Sequence, residues 1–430
     1  MKNYFLKSLI LLLLIGTTFF PFTAKAEILD DKFDLKCLQG SKLGYYIGSF
    51  DPIHLGHQNV IDQALKSGSV DYVLIYPVPG GDAFKNRSDF AERLKMIASV
   101  YQQHPKVLIT SWSPKELQDN FSSTIDLEII GIIGSDVITD TLMGPDKELS
   151  EKYRSVFMRG IPLKEKHYQH TIGALMALKA DSFLVALRGD VDLSYLENRI
   201  YDRPIRAFIP SKTTSSTEVR KAIANRQPFE PFLSYQVQAI IKQEGLYGFP
   251  SQFNKALQDE LLEMQEQDQK ARFSLMSHKE PSKELYENIK KIDVRNGKRL
   301  KTIINQYGWP GVSLVGLEGA SAFWILVQHQ DQDVDFQKEC LELLKEAVNQ
   351  YEASLQSQAY LTDRVKVNEG KPQIYGTQWV QKEGNFCLYP VEDIEHLDKR
   401  RLQMGLNTIA EYKKQMQMIY QLSEEPFRID

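Results

Sequence analysis

GSFDPIHLGH, residues Gly48 to His57, is the stretch on which the reading turns. Before it stands Tyr45-Tyr46-Ile47, a run of strand type; after it, Gln58 to Leu65 has the apolar spacing of a helix. The glycine and proline between them mark a tight strand-to-helix turn. A helix N-terminus presents unbonded N–H groups and the positive end of its dipole, so such a turn binds phosphate. His54 and His57 stand three apart at that point and add donors, and Gly56 lets a ligand approach the backbone closely. The bland alternative is a pair of capping histidines that serve no ligand.

Working outward, the runs Val73-Leu74-Ile75-Tyr76, Val107-Leu108-Ile109, Ile129 to Gly134, Phe183 to Leu187 and Ile205 to Ile209 read as buried strands. Phe90 to Val100 has the spacing of an amphipathic helix. Strands alternating with helices imply an α/β fold with a parallel sheet. Past the last strand, Lys212-Thr213-Thr214-Ser215-Ser216-Thr217-Glu218-Val219-Arg220 opens another helix. Thr214 or Ser215 fits the N-cap, and Ser215 with Glu218 has the spacing of a capping box. That segment is either a well-capped helix or a second phosphate cradle with Arg220 as its cationic clamp.

Together the two segments resemble the HxGH nucleotidyltransferases of the cytidylyltransferase-like superfamily, whose members carry G-x-F-D-P-x-H-x-G-H and, late in the domain, I-S-S-T-x-x-R. The DPxHxGH form looks most like the nicotinate or nicotinamide mononucleotide adenylyltransferases. Lys85 with the following Arg93-Leu94-Lys95-Met96, Gly134-Ser135-Asp136, and Gly245-Leu246-Tyr247 resemble further pieces of that pattern. The resemblance covers residues 41–249 and implies a Rossmann-like parallel sheet. It implies transfer of an adenylyl group from ATP, with Mg2+ carried on the triphosphate, to a small nucleotide. It places His54 and His57 at the ATP phosphates in the transition state and Arg220, Ser215, Ser216 and Thr217 at the outer phosphates. Gly48, Ser49, Phe50 and Gly56 line the turn, Lys85 and Arg93 hold acceptor or triphosphate, and Gly134 and Asp136 hold ribose or a base edge. Two departures stand out: Thr214 replaces an aliphatic residue, and Pro79 to Phe84 lacks a proline-histidine-lysine run.

The N-terminal segment has a different character. Lys2 and Lys7 precede the apolar run Leu9 to Ile15, and Ala24-Lys25-Ala26 is a small-residue cleavage site. This is the pattern of a signal peptide over residues 1–26, which implies a periplasmic or secreted protein without a stable membrane anchor. An uncleaved inner-membrane anchor is the alternative. The 430 residues suggest two or three domains. The net charge is −4 and argues against a nucleic-acid footprint. Three scattered cysteines form neither a disulfide framework nor a CxxC metal pair.

From Pro250 the texture changes. Residues 251–306 are polar and of helical type, and 255–425 read as a mostly α-helical domain. Leu317 to Val327, Phe336 to Leu355 and Leu397 to Leu422 have helix character, and Asp363 to Trp379 reads as a short extended hairpin region. Asp268 and Arg272, four apart, can pair on one helix face. The D-Q-x-x-R, G-W-P, Q-H, D-R-V, Q-x-Y-G-T-Q and R-R-x-x-x-G-L pattern resembles a bacterial domain family of unknown function. His329, Asp363, Arg364, Tyr375 and Gln378 form either a polar pocket for an anionic or amide-bearing ligand or a buried network that holds helices in register. Ligand spacing for a metal is missing. Besides adenylyl transfer, the chain admits two other functions: nucleotide binding without turnover, and a hydrolase in the C-terminal half using His329. Oligomeric state is not legible.

Overall fold

The computed structural model describes residues 28–29, 33–79, 87–101, 104–112, 114–143, 148–149, 179–200, 203–276, 278, 282–382, 385–420 and 427–428. The signal-peptide segment 1–26 and Lys85 lie outside the described residues. The chain divides into two compact units, one ending at Gln238 and the other beginning at Ala239.

The first unit is built on an eight-stranded sheet. Its strands are β1 (Ile28–Leu29), β2 (Lys42–Gly48), β3 (Tyr72–Pro77), β4 (Val107–Thr110), β5 (Glu128–Gly134), β8 (Ser182–Leu187), β9 (Arg199–Ile200) and β10 (Arg203–Pro210). A separate two-stranded hairpin pairs β6 (Leu142–Met143) with β7 (Glu148–Leu149). The order in the large sheet is β1-β4-β3-β2-β5-β8-β10-β9, and only β9 runs antiparallel to its neighbour. The central strands are buried along nearly their whole length, β2 through five consecutive residues. Continuous burial is what a parallel sheet covered on both faces imposes, and it explains why these segments read as unbroken apolar runs. The helices are α1 (Leu55–Lys66), α2 (Phe90–Tyr101), α3 (Pro114–Thr124), α4 (Ser135–Thr141), α5 (Ser216–Ala224) and α6 (Tyr235–Glu244), within which the two units meet in sequence. Leu43, Tyr45, Leu74, Leu108, Leu117, Phe121, Phe183 and Val185 lie in one apolar core.

The six longer strands are therefore ordered as in a doubly wound Rossmann-like sheet. The order reverses between β2 and β5, whose carboxyl ends frame the crevice where such sheets bind ligands. Gly48 ends β2 and Gly134 ends β5.

The second unit is helical: α7 (Lys255–Met276), α8 (Lys283–Tyr307), α9 (Val312–Gln328), α10 (Val334–Asn349), α11 (Leu355–Asn368), α12 (Leu397–Gln403) and α13 (Ile409–Tyr420). Helix α9 is buried on nearly all sides, as its unbroken apolar content requires. A small sheet joins β11 (Trp379–Lys382) antiparallel to β12 (Asn385–Leu388), with β13 (Phe427–Arg428) parallel to β12. Among the described residues no helix is long and apolar enough to cross a membrane.

Three boundaries differ from the sequence reading. Asp363 to Asn368 are helical, and the hairpin lies further on, at 379–388. The segment continues a helix capped by Ser354, whose hydroxyl accepts from the Ser357 amide. The helix expected over 336–355 ends at Asn349, before Tyr351 with its left-handed backbone. The last helix is broken near Gly405, another positive-φ residue.

Candidate functional site

The turn after β2 is held by its two histidines. His54 is the N-cap of α1: its Nδ1 accepts from the His57 amide at 3.2 Å, and its own amide donates to His57 Nδ1 at 3.3 Å. The rings stack 3.7 Å apart and both are buried. With each Nδ1 accepting from a backbone N–H, the neutral ring carries its proton on Nε2. Each histidine thus keeps an N–H donor while capping the helix, so capping and ligand binding are compatible rather than competing roles. Burial, with the nearby Arg188 charge, lowers the His54 pKa to about 3. His54 is therefore a neutral donor at physiological pH.

Gly56 is required by crowding. A Cβ there would lie 3.0 Å from the His54 ring and 3.3 Å from the Lys212 carbonyl. The space that was expected to admit a ligand is filled by the capping ring and by the backbone leading to α5. Phe50 is fully buried with a left-handed backbone, and its ring meets His57 edge-on at 4.9 Å. It serves as a wall for His57.

The two motif segments meet. Ser216 Oγ donates to the Pro52 carbonyl at 3.1 Å. Arg220 donates through Nη1 to the Asp51 carbonyl, lies 3.7 Å from the Asp51 carboxylate, and donates through Nη2 to Thr217 Oγ1 at 3.3 Å. Ser215 is the N-cap of α5, but its side chain makes no capping bond, so the capping box expected with Glu218 is not formed. The α5 N-terminus is left without a side-chain cap, as an anion site needs.

Arg93 is 0% exposed and donates to the carbonyls of Ser88, Ser49, Val78 and Pro79. A guanidinium sunk among four carbonyls positions the Ser49 turn. Arg87, half-buried beside it, donates from Nε to Ser49 Oγ at 3.0 Å. Asp51 is 2% exposed and accepts from the Ser88 amide and hydroxyl, which fastens the start of α2 to the turn.

On the other side of the crevice, Gly134 passes beneath the Asp136 carboxylate, and Asp136 pairs with Arg188 at 3.1 Å. Arg188 follows β8, its amide donates to the buried Ser135 hydroxyl, and its charge acts on His54 and on Tyr46. Burial raises the Tyr46 hydroxyl to about 12 against the pull of Arg188. Arg87, Arg188 and Arg220 thus gather around residues 46–54. The sequence reading gave no role to Arg188, Arg87 or Asp51; Asp51 stands inside the quoted motif, and the local signal of Arg188 is a charge just beyond an apolar strand. Beyond Asp136, residues 144–147 and 150–178 lie outside the described residues.

The comparisons with known proteins agree with this geometry. Residues 45–222 match the cytidylyltransferase-like family model. Over the cytidylyltransferase-like region, a probable nicotinate-nucleotide adenylyltransferase of Fusobacterium nucleatum is 22% identical across 206 residues, covering 47% of this chain and 98% of that protein. One of Dehalococcoides mccartyi is 28% identical over 215 residues, covering 48% and 97%. The structure of a Plasmodium falciparum nicotinic acid mononucleotide adenylyltransferase complexed with NaAD aligns at 16% identity with a TM-score of 0.35, covering 49% of this chain and 98% of that one. Residues 255–424 match a family of unknown function, DUF6624. The sheet order above places the first region among Rossmann-like folds independently of these alignments.

The second unit resolves its predicted polar cluster into two. Asp363 is fully buried and accepts from the amides of Ile374, Tyr375 and Thr377 and from the Thr377 hydroxyl. It organises that loop, and Tyr375 belongs with it. Gln378 Nε2 donates to Thr377 Oγ1 at 3.0 Å and ties Arg364 into the same network, whereas His329 belongs to a separate one. Arg364 forks onto Asp331, with Nε to Oδ1 at 2.7 Å, and donates to Gln378 Oε1 at 3.3 Å. His329 Nδ1 meets Asp268 Oδ2 at 2.7 Å, and Arg272 Nε donates to Asp268 Oδ1 at 3.0 Å, the expected helix-face pair.

Proposed function

We propose that residues 41–249 transfer the adenylyl group of ATP to nicotinate or nicotinamide mononucleotide and release pyrophosphate. The observation that carries this reading is the pair of buried histidines whose Nδ1 atoms are held by backbone amides at the sheet's switch point. An oxygen of the acceptor phosphate forms a bond to the α-phosphorus, and the bond from that phosphorus to the bridging oxygen breaks as pyrophosphate leaves. The chain supplies alignment and donors rather than a covalent partner. His54 and His57 donate from Nε2 to oxygens that gain charge. Arg220 and the α5 N-terminus hold the outer phosphates, with Ser215, Ser216 and Thr217 alongside. Arg188 and Asp136 face the nucleotide from β5 and β8.

Magnesium would arrive on the triphosphate, held mainly by substrate phosphates. The low identity of the named relatives supports the reaction class more than the acceptor. Residues 1–26 are read as a cleaved export signal, which places the enzyme in the periplasm or outside the cell. Cell fractionation together with the mass of the purified N-terminus tests that address.

The decisive assay is pyrophosphate release from Mg·ATP with nicotinate mononucleotide, nicotinamide mononucleotide or phosphopantetheine. Release with one acceptor, abolished by His57→Ala, is expected. ATP binding without release with any of them would leave a nucleotide-binding protein and refute turnover.

A further inference from the structure

The buried network around Asp268 holds more hydrogen-bond donors than it uses. Arg272 is 1% exposed; Nε goes to Asp268 and Nη2 to Asp293, but Nη1 has no partner. Asn296, one helical turn beyond Asp293 on α8, is also 1% exposed, and its Nδ2 has no partner, while its Oδ1 accepts from Arg295. Buried donors are rarely left unpaired, and two in one cluster call for an acceptor. The loop after α9 closes on the same place: a Cβ on Gly297 would fall 2.4 Å from Gln330 Oε1, so the segment that carries His329 and Asp331 lies against α8 there.

The charges say what kind of acceptor fits. Arg272 is matched by Asp268 and Asp293, and Arg364 by Asp331. Burial raises the Asp293 carboxyl to about 7, and even with it protonated two carboxylates match two guanidiniums, which leaves no positive excess to draw an anion into a buried place. His329 sets the other half of the pattern. Burial lowers its pKa, with Arg272 adding to the effect, so the ring is neutral. Although burial works the other way, His329 and Arg272 hold the Asp268 carboxyl down at about 2, so it is ionised and accepts only. Nδ1 must then carry the ring proton, and Nε2 is an acceptor.

We propose that the C-terminal unit holds a second ligand site for a neutral carboxamide, whose oxygen accepts from Arg272 Nη1 and Asn296 Nδ2 and whose N–H donates to His329 Nε2. A carboxylate of the same shape has no N–H for His329 and adds charge beside Asp268, Asp293 and Asp331. The site does not depend on the adenylyltransferase reading of the first unit.

Acetamide and acetate, titrated separately into the full chain, provide the test. The readout is the His329 ring signals by NMR, assigned with His329→Gln. The expected result is a saturable shift with acetamide and little with acetate. Asn296→Leu weakens the acetamide response about tenfold, the size of one hydrogen bond to a desolvated group, and it raises the melting temperature of the unliganded chain by removing an unpaired donor. His57→Ala leaves the response intact, which separates this site from the first unit. A cluster that only encloses water gives no response to acetamide in the unmutated chain and overturns the proposal. So does an equal or stronger response to acetate, which would make it an anion site.

Discussion

Acid reaches His54 late. An exposed histidine takes its proton near 6.5, whereas burial and Arg188 hold His54 uncharged in the folded chain until about pH 3. Between those values the unfolded chain binds the proton and the folded chain does not, so stability falls as the pH drops. At about 1.4 kcal/mol per pH unit, the full gap comes to about 5 kcal/mol, and about half is lost by about pH 4.7. Other groups also titrate in this window, so the informative quantity is a difference between two proteins. His54→Asn keeps a side chain able to cap α1 but cannot titrate. Urea unfolding of the first unit, in steps from pH 7.5 to 4.5, should show the original chain losing about 2.5 kcal/mol more than the variant. The Cε1 proton of His54 should not titrate above pH 4.5. Arg188→Gln removes the second cause of the shift and should move the His54 midpoint part of the way back toward 6.5, with burial retaining the rest. A His54 midpoint between 6 and 7, or a stability difference that does not change with pH, would refute the assignment of His54 as a permanently neutral donor.

Four other outcomes follow from the same contacts. Arg93→Met strips donors from four carbonyls around a buried guanidinium and should destabilise the first unit by about 3 kcal/mol, read by thermal melting. Arg220→Lys loses the fork that bridges Asp51 and Thr217 and should raise KM for ATP about tenfold with a smaller change in kcat, measured by pyrophosphate release. Asp363→Asn leaves one oxygen for a loop that uses two and should cost the second unit about 2 kcal/mol in urea unfolding. Cys37 is exposed whereas Cys340 and Cys387 are buried, so a thiol reagent should modify one cysteine quickly and the other two only after unfolding.

Much of the first unit was legible because its signals are local. A strand of a covered parallel sheet is apolar along its length, and a strand-to-helix turn that must pass close to a ring and a carbonyl needs glycine at 56. What could not be read is what depends on strand order. Arg188 becomes part of the site only because β8 lies beside β5 on the far side of the switch point, and a charge just beyond an apolar strand does not by itself announce that. Arg93 entered only through the resemblance, at the start of an R-L-x-M run, and only the fold shows four carbonyls converging on it. In the second unit, Asp268 and Arg272 were legible as neighbours on one helix, but their partners Asp293 and His329 come from other elements. Asp363 and Arg364 are adjacent in sequence and take different immediate partners, the 374–377 loop and Asp331, since neighbouring residues on a helix face in different directions.

The two units also show how a backbone contact or a carboxylate decides what a histidine can do. In the first, Nδ1 of His54 accepts from an amide, so the neutral ring presents an N–H at Nε2. In the second, Nδ1 of His329 faces an ionised carboxylate, so the neutral ring presents a lone pair at Nε2. The first tautomer suits phosphate oxygens, which only accept. The second suits a group that brings its own N–H, and it repels the oxygens the first attracts. Replacing Asp268 with Asn should expose this dependence. An amide nitrogen at position 268 can donate to Nδ1 and moves the His329 proton to Nε2, whereas the amide oxygen would leave it in place. 15N shifts of the His329 ring distinguish the two tautomers directly. Since Arg272 Nε needs an acceptor at position 268 as well, the amide should turn its oxygen to Arg272 and its nitrogen to His329, which switches the tautomer and with it the preference from carboxamide to carboxylate. A ring that keeps its proton on Nδ1 in Asp268→Asn would show that Asp268 does not set the chemistry of that site.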